Sequence, residues 1–464
     1  MKQETICAVS TPPGKGGIAV IRISGEKAIE ITDPLFLPAK QFCNIKNMQA
    51  YTCAYGQIKT EKGTTLDQVV LTLFKAPHSF TGEDCVEIAC HGSLYIQQQL
   101  IQLLIRNGCR LALPGEFTQR AFFNGKMDLS QAEAVADLIA SDSEASHRLA
   151  INQMRGDFSR ELSRLRNALI DFASLIELEL DFSEEDVAFA DRKQLLQLIE
   201  SVENSVHKLT SSFQIGNALK NGIPVAIVGE TNAGKSTLLN ALLHDEKAIV
   251  SDIHGTTRDA IEDTINLQGV SFRFIDTAGI RDTSDRIESQ GIELAYKKLD
   301  QASIVLWVID STSPNKKTAD LGKNIFPHIQ DKKLILVFNK SDLLSTKEKQ
   351  EKEQLFAEKP FDRIFISARQ NEHISELENL IVTSAQLSNI DNNDIVVTNA
   401  RHYEILIKSL DTIHRVQQSL NDGISADFIA QDIREIIHYI GEITGEISTT
   451  DILSNIFSKF CIGK

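Results

Sequence analysis

Nowhere in the sequence do two cysteines stand at C-x-x-C spacing. The seven present, Cys7, Cys43, Cys53, Cys85, Cys90, Cys109 and Cys461, are scattered, which argues against a disulfide framework or a zinc site and for a reduced intracellular compartment. Also missing is any uninterrupted apolar run long enough to cross a bilayer, and the opening MKQETICAVSTPPGKGG holds no long apolar stretch of the signal-peptide kind. A cytoplasmic protein is therefore expected. Positive charge is short as well: 48 Lys and Arg against 63 Asp and Glu leave a formal net charge of -15. Non-specific affinity for nucleic acid comes mostly from cations neutralising phosphates, so any RNA contact should be local or shared with a partner.

What is present points to several domains, because 464 residues exceed what one core usually organises. From residue 1 to about Phe117, short β-like runs (Ile18 to Ile23, Val69 to Phe74, Val86 to Ala89) surround one helical stretch near Ser93 to Asn107, the pattern of an α+β domain. From Thr118 to about Gly216 proline and glycine nearly vanish, and Leu162, Leu165, Leu169, Phe172 and Ile176 recur at helical spacing. From about 217 to 384, strands alternate with helices: Val225 to Val228, Phe272 to Ile275, Ile304 to Ile309, Leu334 to Phe338 and Ile364 to Ile366. After a polar linker at Asn389 to Asp394, helical spacing returns to Lys464. The expectation is a multidomain α/β protein: an N-terminal α+β domain (1–117) and a helical domain (118–216 and 385–464) interrupted by an inserted Ras-like P-loop domain (217–384).

The strongest local motif is Gly229-Glu230-Thr231-Asn232-Ala233-Gly234-Lys235-Ser236, a G-x-x-x-x-G-K-S loop followed by Thr237 and a helix-forming run. Its glycines let the backbone wrap phosphates, its N–H groups bind their oxygens, Lys235 adds charge and Ser236 is a magnesium ligand. Asp276-Thr277-Ala278-Gly279, Asn339-Lys340-Ser341-Asp342 and Ser367-Ala368-Arg369 then follow, each after a strand. Each alone reads better as an ordinary Asx or Ser turn after a strand. In this order they resemble the translation-factor-like branch of P-loop GTPases, which implies that Asp342 pairs with guanine while Asn339, Ser367 and Ala368 shape its pocket. Ser251-Asp252-Ile253-His254-Gly255-Thr256-Thr257-Arg258-Asp259 stands where a mobile switch is expected, with Thr257 meeting magnesium and the γ-phosphate.

Hydrolysis needs an oriented water and charge neutralisation. Ile280 stands where the Ras type places its water-orienting Gln, and an apolar side chain cannot serve. Arg258 and Arg281 are candidate arginine fingers. Alternatively, Asn232 together with Ser251, Ile253 and the Thr256 region would hold a potassium ion, a reading supported by resemblance to potassium-activated GTPases. Glu288 is nominated to orient the water, and only the family resemblance lifts it above a helix-surface carboxylate.

The flanks carry Thr11-Pro-Pro-Gly-Lys-Gly-Gly17, Arg22-Ile-Ser24, Ser79-Phe-Thr-Gly-Glu-Asp84, His91-Gly92, Pro114-Gly-Glu-Phe-Thr118, Arg120-Ala-Phe122 and a final Cys461-Ile-Gly-Lys464. Together these resemble the MnmE/TrmE family of tRNA-modification GTPases essentially from end to end. The resemblance implies a homodimer joined through the N-terminal domain, which binds a reduced folate (5-formyl- or 5,10-methylene-tetrahydrofolate type) through Arg22, Glu87, Lys126 and Lys464, with Cys461 nearby. It further implies GTP, Mg2+ and K+ as ligands and MnmG, a flavoprotein, as partner. The implied reaction adds an aminomethyl or carboxymethylaminomethyl group to C5 of a tRNA wobble uridine. The P-loop departs mildly from the family in Glu230-Thr231, where many relatives carry a basic residue and Pro. A ribosome-assembly GTPase of Era-like type is the alternative, disfavoured because the sequence lacks a basic C-terminal RNA-binding module.

Overall fold

Alternation of side chains between the two faces organises both β-sheets. The structure is a computed structural model that describes residues 4–39, 44–181, 192–245, 263–275, 299–329, 332–385, 394–460 and 462–463. It packs as two units, one of Met1–Ile139, Gln153–Glu203 and Ile405–Lys464, the other of Ala140–Asn152 and Asn204–Glu404.

In the first unit, seven strands form one sheet: β1 (Ile6–Val9), β2 (Ile18–Ser24), β3 (Phe36–Pro38), β4 (Thr52–Lys59), β5 (Thr65–Phe74), β6 (Cys85–His91) and β7 (Arg110–Leu111), in the order β3-β4-β5-β6-β2-β1-β7. The three expected runs become β2, β5 and β6, and the expected helix is Leu94–Arg106. Ala19, Ile21, Ile23, Val69, Leu71, Leu73, Val86 and Ile88 point into a core completed by Leu100, Leu103 and Leu104 of that helix. The opposite face is different: Tyr55, Val70, Ala89 and Val20 stand in register across four strands, and Tyr55 and Val70 are exposed.

The same unit contains the long helix Asp157–Asp181, packed on Ala426–Thr444. Leu162, Leu165, Leu169, Phe172 and Ile176 are buried as their spacing predicts, and Ile429, Ile433, Ile436, Ile440 and Ile443 are buried on the facing helix. Arg434 bonds Glu177 and Arg166 pairs with Glu446 at 2.6 Å along this seam.

In the second unit, β8 (Ile223–Val228), β9 (Asp263–Leu267), β10 (Val270–Phe274), β11 (Ile304–Asp310), β12 (Lys333–Asn339) and β13 (Asp362–Phe365) form a six-stranded sheet of order β13-β12-β11-β8-β10-β9. All neighbours are parallel except β9 with β10. Ile304, Leu306, Val308, Ile335 and Val337 enter one buried cluster, while Val305, Trp307, Ile309, Leu334, Leu336 and Phe338 enter another. Both sheet faces are therefore covered, as a doubly wound α/β fold requires. The helix Arg192–Asn221 leads directly into β8.

One buried polar network fixes the N-terminal sheet to the helix Glu116–Phe123. Arg120, 3% exposed, donates to Glu83 at 3.2 and 3.1 Å, to Glu116 at 3.0 Å and to the Glu4 carbonyl at 2.7 Å. Burial alone would raise the Glu116 carboxyl, but hydrogen bonds from Arg110, the Leu113 amide and Arg120 outweigh it and hold it below its ordinary value. Its stabilisation is thus present above the usual carboxylate range and is lost as pH falls through the depressed value. Arg120→Ala leaves Glu83 and Glu116 without their central cation and should lower the unfolding free energy of this unit by about 3 to 5 kcal/mol. Urea denaturation measures it, and a loss no larger than that of a surface ion pair, below about 1 kcal/mol, would contradict the network's role.

Candidate functional site

Parallel strands β8, β11, β12 and β13 end at one edge of their sheet, and the expected phosphate and base motifs leave from those ends. Gly229 follows β8 with φ 152°, and a Cβ there would stand 2.2 Å from the Val308 carbonyl, so the loop leaves the sheet too close to β11 for any side chain. Asn232 takes a left-handed φ of 65° and the helix Lys235–Asp245 begins at the lysine of the motif. Lys235 Nζ donates to the carbonyls of Gly229 at 2.9 Å and Glu230 at 2.7 Å. Burial pulls its amine below the ordinary lysine value, and the Glu230 carboxylate opposes that shift.

Asn339 joins this loop to the turn after β13. Its side chain, 3% exposed, donates to the Ala233 carbonyl at 2.8 Å and accepts from the Ala368 amide at 3.0 Å. Gly234 completes the fit, since a Cβ there would fall 2.1 Å from Asn339 Nδ2. Lys340 follows with φ 62°, and the Ser341 amide bonds the Ile366 carbonyl at 3.0 Å, holding the turn that presents Asp342 against the turn of Ser367, Ala368 and Arg369. Gln370 donates to Asp342 at 3.4 Å. Asn232, Gly234, Lys235, Ser236, Thr237, Asn339, Lys340, Asp342, Ser367 and Arg369 thereby line one cavity of about 690 Å³, and Ala233 and Ala368 form its backbone supports.

Two residues of this site were not singled out from sequence. Asp310 ends β11 and bonds Lys340 Nζ at 2.6 Å while accepting from the Thr312 amide and hydroxyl. Burial alone would raise its carboxyl, but the Lys340 and Thr312 bonds outweigh it and hold it low. Its signal was positional: it ends a strand at the same edge as Asn339. Lys317 pairs at 2.9 Å with Glu230, so the departure from the usual P-loop sequence comes with its own counter-cation.

Ser236 and Asn232 offer hard oxygen donors, fitting ions of the magnesium and potassium type. Ser251, Asp252, Ile253, His254, Gly255, Thr256, Thr257, Arg258, Asp276, Thr277, Ala278, Gly279, Ile280, Arg281 and Glu288 lie outside the described residues.

A second constellation lies on the N-terminal sheet. Arg22 and Glu87 are register partners on β2 and β6, and the guanidinium meets Glu87 Oε1 at 2.9 and 2.8 Å. Phe80 and Phe117 flank the same guanidinium at 5.4 and 5.7 Å, two contacts that the strand pattern did not disclose. Lys126 Nζ donates to the Pro77 carbonyl at 3.1 Å, and Asn124 donates to the Thr81 carbonyl at 2.7 Å, so the loop that supplies Phe80 is clamped from the helix side. The C-terminal tail arrives here too: Ser10 Oγ donates to the Gly463 carbonyl at 3.2 Å, two residues beyond Ala8, the register partner of Arg22. Cys461 and Lys464 lie outside the described residues. Among described cysteines none is in a disulfide.

The comparisons with known proteins agree over nearly the whole length. A family model described as GTP-binding protein TrmE N-terminus matches residues 5–126, and one described as MnmE helical domain matches residues 129–461. Proteins named tRNA modification GTPase MnmE are 57% identical in Bacteroides thetaiotaomicron and 57% in Bacteroides fragilis, each match covering 100% of both chains. The Parabacteroides distasonis protein of the same name is 56% identical, over 99% of this chain and 100% of its own. With its phosphate loop, base-side turns and N-terminal sheet all in place, the chain belongs to the MnmE family of tRNA modification GTPases.

Proposed function

We propose that the chain hydrolyses GTP and that this hydrolysis drives modification of C5 of the wobble uridine in certain tRNAs, adding a carboxymethylaminomethyl or aminomethyl group together with MnmG, a flavoprotein. The observation that carries the nucleotide half is the Asn339 bridge, which unites the phosphate loop and the base-side turn around one cavity. Asn232, Ala233, Gly234, Lys235, Ser236 and Thr237 would take the phosphates. Asp342 would read guanine against Lys340, with Ser367, Ala368 and Arg369 closing the other side. Ser251 to Thr257 and Asp276 to Gly279 would complete the site as switches.

Ser236 and Thr257 would hold magnesium, and Asn232, Ser251, Ile253 and Thr256 would hold potassium. Both ions, when bound, supply positive charge to phosphate oxygens. Glu288 would orient the attacking water, a task Ile280 cannot perform. Asp310 keeps Lys340 extended beside the cavity.

The folate reading rests on Arg22, Glu87, Lys126 and Lys464. A carboxylate suits the amino and ring N–H groups of a pterin, while cations suit the acidic tail of a folate. The Gly463 contact at the end of β1 supports a C-terminus lying toward Arg22, from which Cys461 would reach the one-carbon unit. A reduced folate would supply that unit. The row of Tyr55 and Val70, both exposed, with the half-buried Ala89 and Val20 supports homodimerisation through the N-terminal sheet, because an apolar row of this kind suits the centre of an isologous interface. In this reading 1–117 is the folate-binding and dimerisation domain, 118–216 and 385–464 the helical domain, and 217–384 the G domain. The protein acts in the cytoplasm. No helix among the described residues is long and apolar enough to cross a membrane.

Nucleoside mass spectrometry of tRNA from cells lacking the chain should show wobble uridines without the C5 substituent; unchanged nucleosides would favour the assembly-factor alternative. Glu288→Ala should keep nucleotide affinity and lose turnover by about two orders of magnitude or more, as read by single-turnover GTPase assay. Turnover that survives the substitution would dismiss the water-orienting role. GTPase rates should be higher in potassium than in sodium at equal ionic strength, and equal rates would remove the potassium site.

A further inference from the structure

The edge of the six-stranded sheet opposite the nucleotide cavity carries a second cavity, of about 590 Å³, at the beginnings of β12 and β13. Seven residues of β12 separate the two edges, roughly 20 Å of extended chain. Among the described residues the lining includes four lysines, Lys323, Lys332, Lys333 and Lys359, and one carboxylate, Asp362. In a chain with formal charge -15 this is a local inversion of sign.

The four amines are not equivalent. Lys323 pairs with Asp320 at 2.9 Å, and Lys332 donates to the Leu299 carbonyl. Among the described residues, Lys333 and Lys359 have no ion-pair partner, and both are exposed. Lys359 is nonetheless held in place, its amine 4.3 Å above the Phe326 ring and 5.7 Å from that of Phe361. A cation seated on aromatic faces keeps N–H donors turned outward. The aromatic floor is braced from below, since Phe326 meets Phe356 and the buried Trp307 edge-on at 5.2 and 6.0 Å. Oriented ammonium groups beside a firm apolar floor suit a ligand that alternates phosphates with flat, weakly polar surfaces, which is the chemistry of single-stranded RNA. An acidic peptide would match the charge but leave the aromatic floor without a planar partner.

We propose that this cavity is an RNA contact of the G domain, with phosphates on Lys333 and Lys359 and a base or ribose beside Phe361, the Phe326 face being taken by the Lys359 amine. The inference rests on the reading that tRNA is the substrate. It supplies the local cationic contact that an acidic chain needs.

The test is fluorescence anisotropy of labelled unmodified tRNA with the full-length chain across a salt series starting near about 50 mM, where phosphate contacts are least screened. Wild type is compared with Lys333→Glu/Lys359→Glu and with the charge-matched control Lys62→Glu/Lys347→Glu. Binding of a fluorescent guanine nucleotide verifies that each variant is folded. The cavity variant should bind tRNA at least about tenfold more weakly than the control, with a log–log salt slope smaller by about 1.4 to 1.8 for two lost phosphate contacts. Equal affinity and slope in the two variants would overturn the proposal, as would wild-type binding that inorganic phosphate abolishes as readily as unlabelled RNA does, since that marks a small-anion site. Because binding is read directly, the result is separable from the nucleoside analysis: tRNA binding that depends on the lysines stands even if wobble uridines prove unchanged in deleted cells.

Discussion

One carboxamide, that of Asn339, holds the nucleotide cavity together. It stands at the end of β12, reaches sideways to the Ala233 carbonyl in the phosphate loop, and receives the Ala368 amide from the turn after β13. A buried amide in this position cannot relinquish either bond cheaply, because an unsatisfied polar group in the interior costs about 1 to 3 kcal/mol. The surrounding geometry follows from it. Gly234 must lack a side chain because Asn339 occupies that space, and the short turn through Lys340 adopts its left-handed φ so that Ser341 can bond Ile366. The loop proposed to take phosphates and the turn proposed to read the base are therefore tied to each other through one side chain.

A similar economy governs the N-terminal sheet. Arg120 gathers Glu83, Glu116 and the Glu4 carbonyl, fixing the loop between β5 and β6 against the helix Glu116–Phe123. That loop carries Phe80, which packs against the Arg22 guanidinium opposite Phe117. In both places a cation proposed to meet a ligand is held by its neighbours in the fold: Arg22 by Glu87 and two rings, Lys340 by Asp310. The mechanism common to both is loss of side-chain freedom before any ligand arrives, which lowers the entropic cost of binding.

The elements with strong periodicity were legible in the sequence. The runs at Ile304 to Ile309 and Leu334 to Phe338 are continuous because both faces of a parallel sheet are covered, and they became β11 and β12 with a residue or two added. The helix bearing Leu162 to Ile176 was equally plain. Strands β1, β3, β4, β7 and β9 were not identified: β3 and β7 are three and two residues long, and pairing rather than local pattern defines them. In the site, the P-loop and the Asn339 and Ser367 motifs were readable because backbone geometry forces particular residues at fixed spacing. Asp310 and Lys317 were not, since each acts across the fold on a residue far away in sequence and an isolated Asp or Lys carries no periodic or motif signal; Phe80 and Phe117 sit inside the flank motifs, but their contact with Arg22 arises only in the fold. The division into 1–117, 118–216, 217–384 and 385–464 came from changes in pattern. By packing, the chain separates into two units whose seams fall inside helices, at positions that composition cannot mark.

The claim on which the rest depends is that one amide couples the phosphate loop to the base-side turn. Hydrogen exchange on Asn339→Ala, read together with guanine nucleotide affinity, tests it most directly. The account predicts faster exchange at both residues 229–237 and residues 367–370, with nucleotide affinity falling by at least about tenfold, the equivalent of 1.4 kcal/mol. Native protection in either segment, combined with wild-type affinity, would contradict it.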